Sequence, residues 1–108
     1  MKDFKDKVLV VTGAGSGIGR AIALEGANRG MKVVINDICA ESLAETRRMI
    51  EEKGVPVVEQ VADISLAENV KALLDLTLEH FGKVNIAVCN AGVTLPGPVW
   101  ETPIKDIQ

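Results

Sequence analysis

The chain has 108 residues, of which 47% are hydrophobic, and a formal net charge of −3 at pH 7. That length is enough for one small domain with a buried core, and the composition is not that of a disordered segment. An acidic balance without a long basic run argues against nucleic-acid binding. The apolar runs are strand-sized, so we expect no membrane span, and the charged amino terminus predicts no secretory signal.

The two cysteines, Cys39 and Cys89, match no metal-binding or redox spacing. We expect both to be buried thiols that form no disulfide, and we expect no metal site. Thiols that stay reduced are typical of a reducing compartment, so the predicted location is the cytoplasm.

Strand-like and helix-like patterns alternate along the chain. Continuous apolar runs predict strands that are covered on both faces, and apolar residues at a spacing of three and four predict helices between them. The predicted strands cover residues 7–12, 32–36, 56–62 and 84–90, and the predicted helices cover 17–29, 40–53 and 66–81.

Three local signals refine this pattern. Pro56 cannot donate a backbone hydrogen bond, so it places the third strand at a sheet edge or marks the strand's first residue. Ser65 and Glu68 have the spacing of a capping box, which predicts that Ser65 caps the third helix. Thr102 followed by Pro103 predicts the start of a further helix.

Alternating strands and helices predict an α/β fold with a parallel sheet and helices on both faces. Right-handed crossovers, with one reversal after the third strand, give the strand order 3-2-1-4. This is the first half of a doubly wound, Rossmann-type nucleotide-binding sheet. We therefore expect residues 1–108 to form one partial domain, with a core over about 7–92 and a loop and helix start over 93–108.

Four of the ten glycines lie between positions 13 and 19, where the first strand passes into the first helix. Glycines at such a turn permit a tight bend, the approach of a pyrophosphate to the backbone and close packing of the helix. The helix would direct its unpaired amides at the phosphates. Asp37, 18 positions after Gly19, is placed to bind the adenosine ribose; a helix N-cap is the alternative role for it.

The spacing from Thr12 to Gly19 is T-G-x-x-x-G-x-G. With Asp63-Ile64 after the third strand and Asn90-Ala91-Gly92 after the fourth, it resembles the classical short-chain dehydrogenase/reductase family over residues 7 to about 108. The resemblance implies that NAD(H) contacts Gly13, Ser16, Gly17, Ile18 and Gly19 at the pyrophosphate and ribose, Asp37 at the adenosine ribose, Asp63 and Ile64 at the adenine, and Asn90, Ala91 and Gly92 near the riboses. Cys89 stands where the family usually has a first asparagine.

The resemblance also implies a preference for NAD over NADP. A carboxylate at Asp37 would accept a hydrogen bond from the ribose 2′-hydroxyl and repel a 2′-phosphate. Ser16 stands where NADP-preferring relatives often place a cation, and residue 38 is an isoleucine.

The chemistry implied by the family is hydride transfer between NAD(H) and an alcohol or carbonyl carbon. The family assigns the accompanying proton transfer to a tyrosine, a lysine four residues later and a nearby serine. This sequence contains no tyrosine, so it supplies no predicted catalytic residue. We expect the chain to be the N-terminal cofactor-binding segment of a longer NAD-dependent oxidoreductase, to be inactive alone, and to self-associate or form a homo-oligomer.

Two other interpretations remain at this point. The chain could be a free-standing, non-catalytic dinucleotide-binding module. A methyltransferase-type Rossmann domain also uses a glycine turn, but the glycine spacing and Asn90-Ala91-Gly92 argue against it. Two of these residues also have a structural alternative to cofactor contact. Asp63 could simply precede the capping box, and Asn90 could link the ends of neighbouring strands.

Overall fold

A computed structural model describes residues 4–90 of the chain. Its elements, in chain order, are β1 (Val8–Thr12), α1 (Gly17–Asn28), β2 (Lys32–Asp37), α2 (Ala40–Glu51), β3 (Val57–Val61), α3 (Ala67–Phe81) and β4 (Ile86–Cys89). All seven predicted elements within this range are present, and their bounds lie within two residues of those predicted. The helix start predicted at Thr102 and Pro103 lies outside the described residues.

The four strands form one parallel sheet in the order β3-β2-β1-β4, which confirms the predicted topology. β1 pairs with strands on both sides, with Val10 opposite Val34 of β2 and Ala87 of β4. β3 is an edge strand in the described sheet, and Pro56 immediately precedes it, as predicted. Parallel pairing aligns the carboxyl ends of all four strands at one edge of the sheet.

The core has two layers, one on each face of the sheet. Because successive side chains of a strand point to opposite faces, β1 contributes to both layers and all five of its residues are buried. One layer is built against α1 and α2 and includes Leu9, Val11, Ala23, Ile35, Leu43 and Ile50. The other is built against α3 and includes Val10, Val34 and Leu73.

The apolar face predicted for α3 is only partly covered by the described residues. Leu73 and Thr77 are buried against the sheet. A second row, the α3 stripe (Leu66, Val70, Leu74 and Leu78), keeps 40% to 50% of its surface exposed. Beside this stripe, an apolar groove of about 210 Å³ lies between α3 and the strands β1 and β4.

The capping box predicted at Ser65 is wrong. The residue that precedes α3 is Leu66, and no side-chain hydrogen bond caps the described helix there. Ser65 instead donates its hydroxyl to the Asp63 carboxylate at 2.7 Å. A charged acceptor two residues away forms the stronger hydrogen bond, so the serine turns back toward Asp63 and the helix begins later.

The predicted burial of the two cysteines is also wrong, because both are exposed. Cys39 immediately precedes α2, beyond the covered part of β2. Cys89 is the last residue of β4, which is an edge strand of the described sheet. No disulfide joins the two thiols. Among residues 4–90, no helix has the length and apolar character needed to cross a bilayer.

Candidate nucleotide-binding site

A cleft of about 400 Å³ lies where the carboxyl ends of the strands meet. Eight of the predicted site residues line it: Gly13, Ser16, Gly17, Ile18, Asp37, Asp63, Ile64 and Asn90. Gly19 is buried beneath the glycine-rich loop, and Ala91 and Gly92 lie outside the described residues. The sheet therefore brings residues from the ends of all four strands to one cavity, of a volume usual for small-ligand sites.

The amino terminus of α1 opens into this cleft. Ser16 precedes the helix in an extended conformation, and among the described residues no side chain caps the helix. The first-turn amides have no helical carbonyl to bind, and the first turn carries no acidic side chain. Unpaired amides and the positive end of the helix dipole make this end of the cleft suitable for an anion such as a phosphate.

Gly19 lets α1 lie directly on the backbone of the loop. A Cβ atom at this position would be 2.0 Å from the carbonyl oxygen of Gly13 and 2.8 Å from Nδ2 of Asn90. The same Nδ2 atom lies 3.4 Å from the Gly13 carbonyl oxygen, to which it donates. The close packing of the helix that was predicted for the glycines is thus observed at Gly19. The hydrogen bond from Asn90 to Gly13 also links the ends of β4 and β1.

Asp37 ends β2 and faces the glycine-rich loop. Its Oδ2 atom accepts a hydrogen bond from the amide of Gly15 at 2.8 Å, and its Oδ1 atom accepts one from the amide of Cys39 at 3.0 Å. The helix-cap alternative is wrong, since Cys39 is the N-cap residue and no side chain caps the described α2. A carboxylate has about four acceptor positions, so Asp37 retains capacity for a ligand hydroxyl.

Asp63 follows β3 on the far side of the cleft. Its Oδ1 atom accepts hydrogen bonds from the hydroxyl of Ser65 at 2.7 Å and from the Ser65 amide at 3.0 Å. These donors favour the charged form and hold the pKa of the Asp63 carboxyl below its usual value. The Asp63 side chain is therefore charged near neutral pH, and it lines the same cleft as Asp37.

Three residues that line the cleft were absent from the predicted site: Asn36, Ile38 and Ala62. Asn36 is 1% exposed, and its side chain donates to the Gln60 side chain at 2.9 Å and to the Ala62 carbonyl at 3.3 Å. It thereby fixes the end of β2 against β3. An asparagine at the end of a mostly apolar strand was the sequence signal that could have identified it.

A glycine-rich turn between β1 and α1, with an acidic residue at the end of β2, defines a dinucleotide-binding α/β domain. The family model for short chain dehydrogenases matches residues 7–108. The chain therefore belongs to the short-chain dehydrogenase/reductase family.

Known proteins agree with this assignment. The chain is 42% identical over 106 residues to a CLA biosynthesis dehydrogenase/reductase of Lactiplantibacillus plantarum, covering 98% of this chain and 37% of that protein. It resembles the crystal structure of a short chain dehydrogenase/reductase from Burkholderia phymatum in complex with NAD, with a TM-score of 0.84 and 46% identity over 94% of this chain and 36% of that one.

L-sorbose reductase from Gluconobacter frateurii, solved with NADPH and L-sorbose, has a TM-score of 0.81 and 35% identity, over 92% of this chain and 38% of that one. The chain thus spans less than half the length of each of these three relatives.

Replacement of Gly19 by alanine tests the close approach of α1 to the loop. The added methyl group would overlap the Gly13 carbonyl, so the helix or the loop must move. We expect the free energy of unfolding in urea to fall by about 3 kcal/mol or more. Gly54→Ala is the matched control, because Gly54 has φ +81° but no atom within 4 Å of an added Cβ. That control should cost only about 1–2 kcal/mol of backbone strain. Equal losses in the two variants would contradict the packing role.

Proposed function

We propose that the chain binds NAD(H) by its adenosine and pyrophosphate parts, and that it is the cofactor-binding segment of a longer oxidoreductase. The core of this segment spans about residues 7–92. The observation that carries the proposal is the convergence of the glycine-rich loop, the amino terminus of α1 and Asp37 on one cleft. The relative from Burkholderia phymatum, which was solved with NAD, supports the choice of nucleotide.

Each proposed contact follows from the chemistry of the residue that makes it. The loop and the first turn of α1 offer amides to the pyrophosphate, the carboxylate of Asp37 accepts from the ribose hydroxyls, and the region after β3 meets the adenine. The proposed contact residues are Gly13, Ser16, Gly17, Ile18, Gly19, Asp37, Asp63, Ile64, Asn90, Ala91 and Gly92.

The charges around the cleft favour NAD over NADP. Asp37 and Asp63 both line it, and none of the lining residues within 4–90 is a lysine or an arginine. A 2′-phosphate near Asp37 would be repelled and would find no cation among these residues. The family fold accommodates either cofactor, since one relative was solved with NAD and L-sorbose reductase with NADPH. The preference for NAD over NADP must therefore come from the side chains near the 2′-position of the ribose.

For the longer protein we propose hydride transfer between NAD(H) and an alcohol or carbonyl substrate. This chain holds the nucleotide, and the tyrosine that the family uses for proton transfer is not among its residues. The proposed location is the cytoplasm, since the spacing of the two cysteines matches no metal-binding or redox motif.

Titration calorimetry with NAD and NADP tests the cofactor and its preference. We expect NAD to bind at least about tenfold more tightly, since a hydrogen bond to a charged group is worth roughly 1.5–3 kcal/mol. Asp37→Asn should weaken NAD binding and reduce the ratio of the NADP dissociation constant to the NAD dissociation constant. Asp75→Asn, on the exposed side of α3, removes the same charge and should change neither affinity. Tighter binding of NADP by the unmodified chain would refute the preference, and no binding of either would refute the proposed function.

Turnover assays separate the cofactor-binding segment from a complete catalyst. A phenol near pKa 10 must be positioned and activated to move the substrate proton, and these 108 residues contain no tyrosine. We expect no NADH formation above the buffer background with any alcohol. The control is the longer protein that includes this segment, which should reduce NAD with its alcohol substrate. Sustained turnover by the 108-residue chain would contradict the expectation.

We also propose that the chain self-associates. Within the described sheet, β4 pairs only with β1, and the α3 stripe leaves four apolar side chains 40% to 50% exposed on the adjoining surface. An edge strand offers backbone groups for pairing with another chain, and a contiguous apolar patch is typical of an interface.

Sedimentation velocity at micromolar concentration tests this self-association. Leu74→Glu places a charge in the α3 stripe and should lower the association constant by about tenfold. Lys71→Gln, on the polar side of the same helix, changes the net charge by the same amount and should have little effect. A strictly monomeric unmodified chain would contradict the proposal.

A further inference from the structure

The peptide groups of Gly15 are held between two charged side chains. The amide of Gly15 donates to Oδ2 of Asp37 at 2.8 Å, and the carbonyl of Gly15 accepts from Nη2 of Arg20 at 2.6 Å. A Cβ at Gly15 would lie 2.7 Å from the same Asp37 oxygen, so the approach depends on glycine. The position of Gly15 and the orientation of the Asp37 carboxylate are therefore coupled.

Arg20 is itself anchored on α2. Its Nε atom donates to the hydroxyl of Thr46 at 2.8 Å, and Nη2 donates to the carbonyl of Ser42 at 3.0 Å. Thr46 is fully buried, and its hydroxyl lies 2.8 Å from the carbonyl oxygen of Ala14. Three points fix the guanidinium fork, so Arg20 connects α1, the glycine-rich loop and α2 through directed hydrogen bonds.

Arg20 acts on the loop through hydrogen bonds and not through an ion pair. None of the ion pairs found among residues 4–90 includes Arg20, although Arg29, Arg47 and Arg48 each pair with a glutamate. Its Nε and Nη2 atoms instead donate to two backbone carbonyls and one hydroxyl. This arrangement orients the loop, and it does so from behind the cleft, since Arg20 is not among the lining residues.

We infer that Arg20 is a positioning residue for the adenosine ribose site, acting on Asp37 through Gly15. It holds the Gly15 amide toward Asp37, which leaves the remaining carboxylate acceptors directed at the cleft. The inference rests on the proposed function, because the ligand whose affinity it sets is NAD. It predicts that Arg20 and Asp37 contribute to NAD binding as one unit.

A double-mutant cycle with NAD as the probe tests this coupling by calorimetry. Arg20→Met removes the donors with little change in side-chain length, and we expect it to weaken NAD binding by about tenfold. In an Asp37→Asn background the same change should cost less than about twofold, since the group through which Arg20 acts is already altered. Arg20→Lys keeps the charge without the planar fork and should restore only part of the affinity. Arg29→Met, at the exposed end of α1, is the control and should bind as the unmodified chain does.

The outcomes distinguish this inference from the proposed function. If the unmodified chain binds NAD but the losses from Arg20→Met and Asp37→Asn are additive, Arg20 has a general structural role and the inference fails alone. If the unmodified chain does not bind NAD, both fail. If circular dichroism shows that Arg20→Met does not fold, Arg20→Lys replaces it in the double-mutant cycle with Asp37→Asn. Loss of folding in both variants would show that Arg20 is structural and would overturn the inference.

Discussion

The backbone of α1 lies against the backbone of the loop that precedes it, and the rest of the site depends on that approach. It is possible only because position 19 carries no side chain, since a Cβ there would overlap the Gly13 carbonyl. With the helix at this distance, its first-turn amides face the cleft and Arg20, one residue further on, reaches back to Gly15. The direction of the first-turn amides and the contact of Gly15 with Asp37 thus both depend on this close approach.

The strand order of the parallel sheet determines where the cleft lies. The chain steps from β1 out to β3 and then crosses back to β4, so β1 and β4 are neighbours. The helix α1, which follows β1, and the helix α3, which precedes β4, lie on opposite faces of the sheet. A cleft forms at such a reversal point, beyond the carboxyl ends of the strands. Gly13, Asp37, Asp63 and Asn90 each follow or end a different strand, and for that reason residues far apart in sequence line one cavity.

Prediction from sequence succeeded where a local pattern carries the information. Apolar periodicity and the turn glycines were sufficient for the elements and the strand order, and the spacing of Asp37 from Gly19 indicated the cleft. It failed where two local interactions compete: Ser65 had a capping-box spacing, but the carboxylate of Asp63 took its hydroxyl. It could not foresee the contact between Arg20 and Thr46, because these residues are 26 positions apart and meet only through the packing of α1 on α2. The exposed position of Cys89 likewise depends on the neighbours of β4, which no spacing in the sequence specifies.

The pairing of β4 with β1 has a consequence for how the protein is made. The amide of Val8 binds the side chain of Asn85, and Asn90 reaches Gly13, each across 77 positions of sequence. At about 5–20 residues per second on the ribosome, the β4 edge of β1 stays without its partner for roughly 4–15 s. Contacts of such long sequence separation also form slowly, because the loop must close before any stabilisation is gained. The nascent chain can assemble β1, β2 and β3 early, but Asn90 joins the cleft only after the last strand of the described sheet has left the exit tunnel.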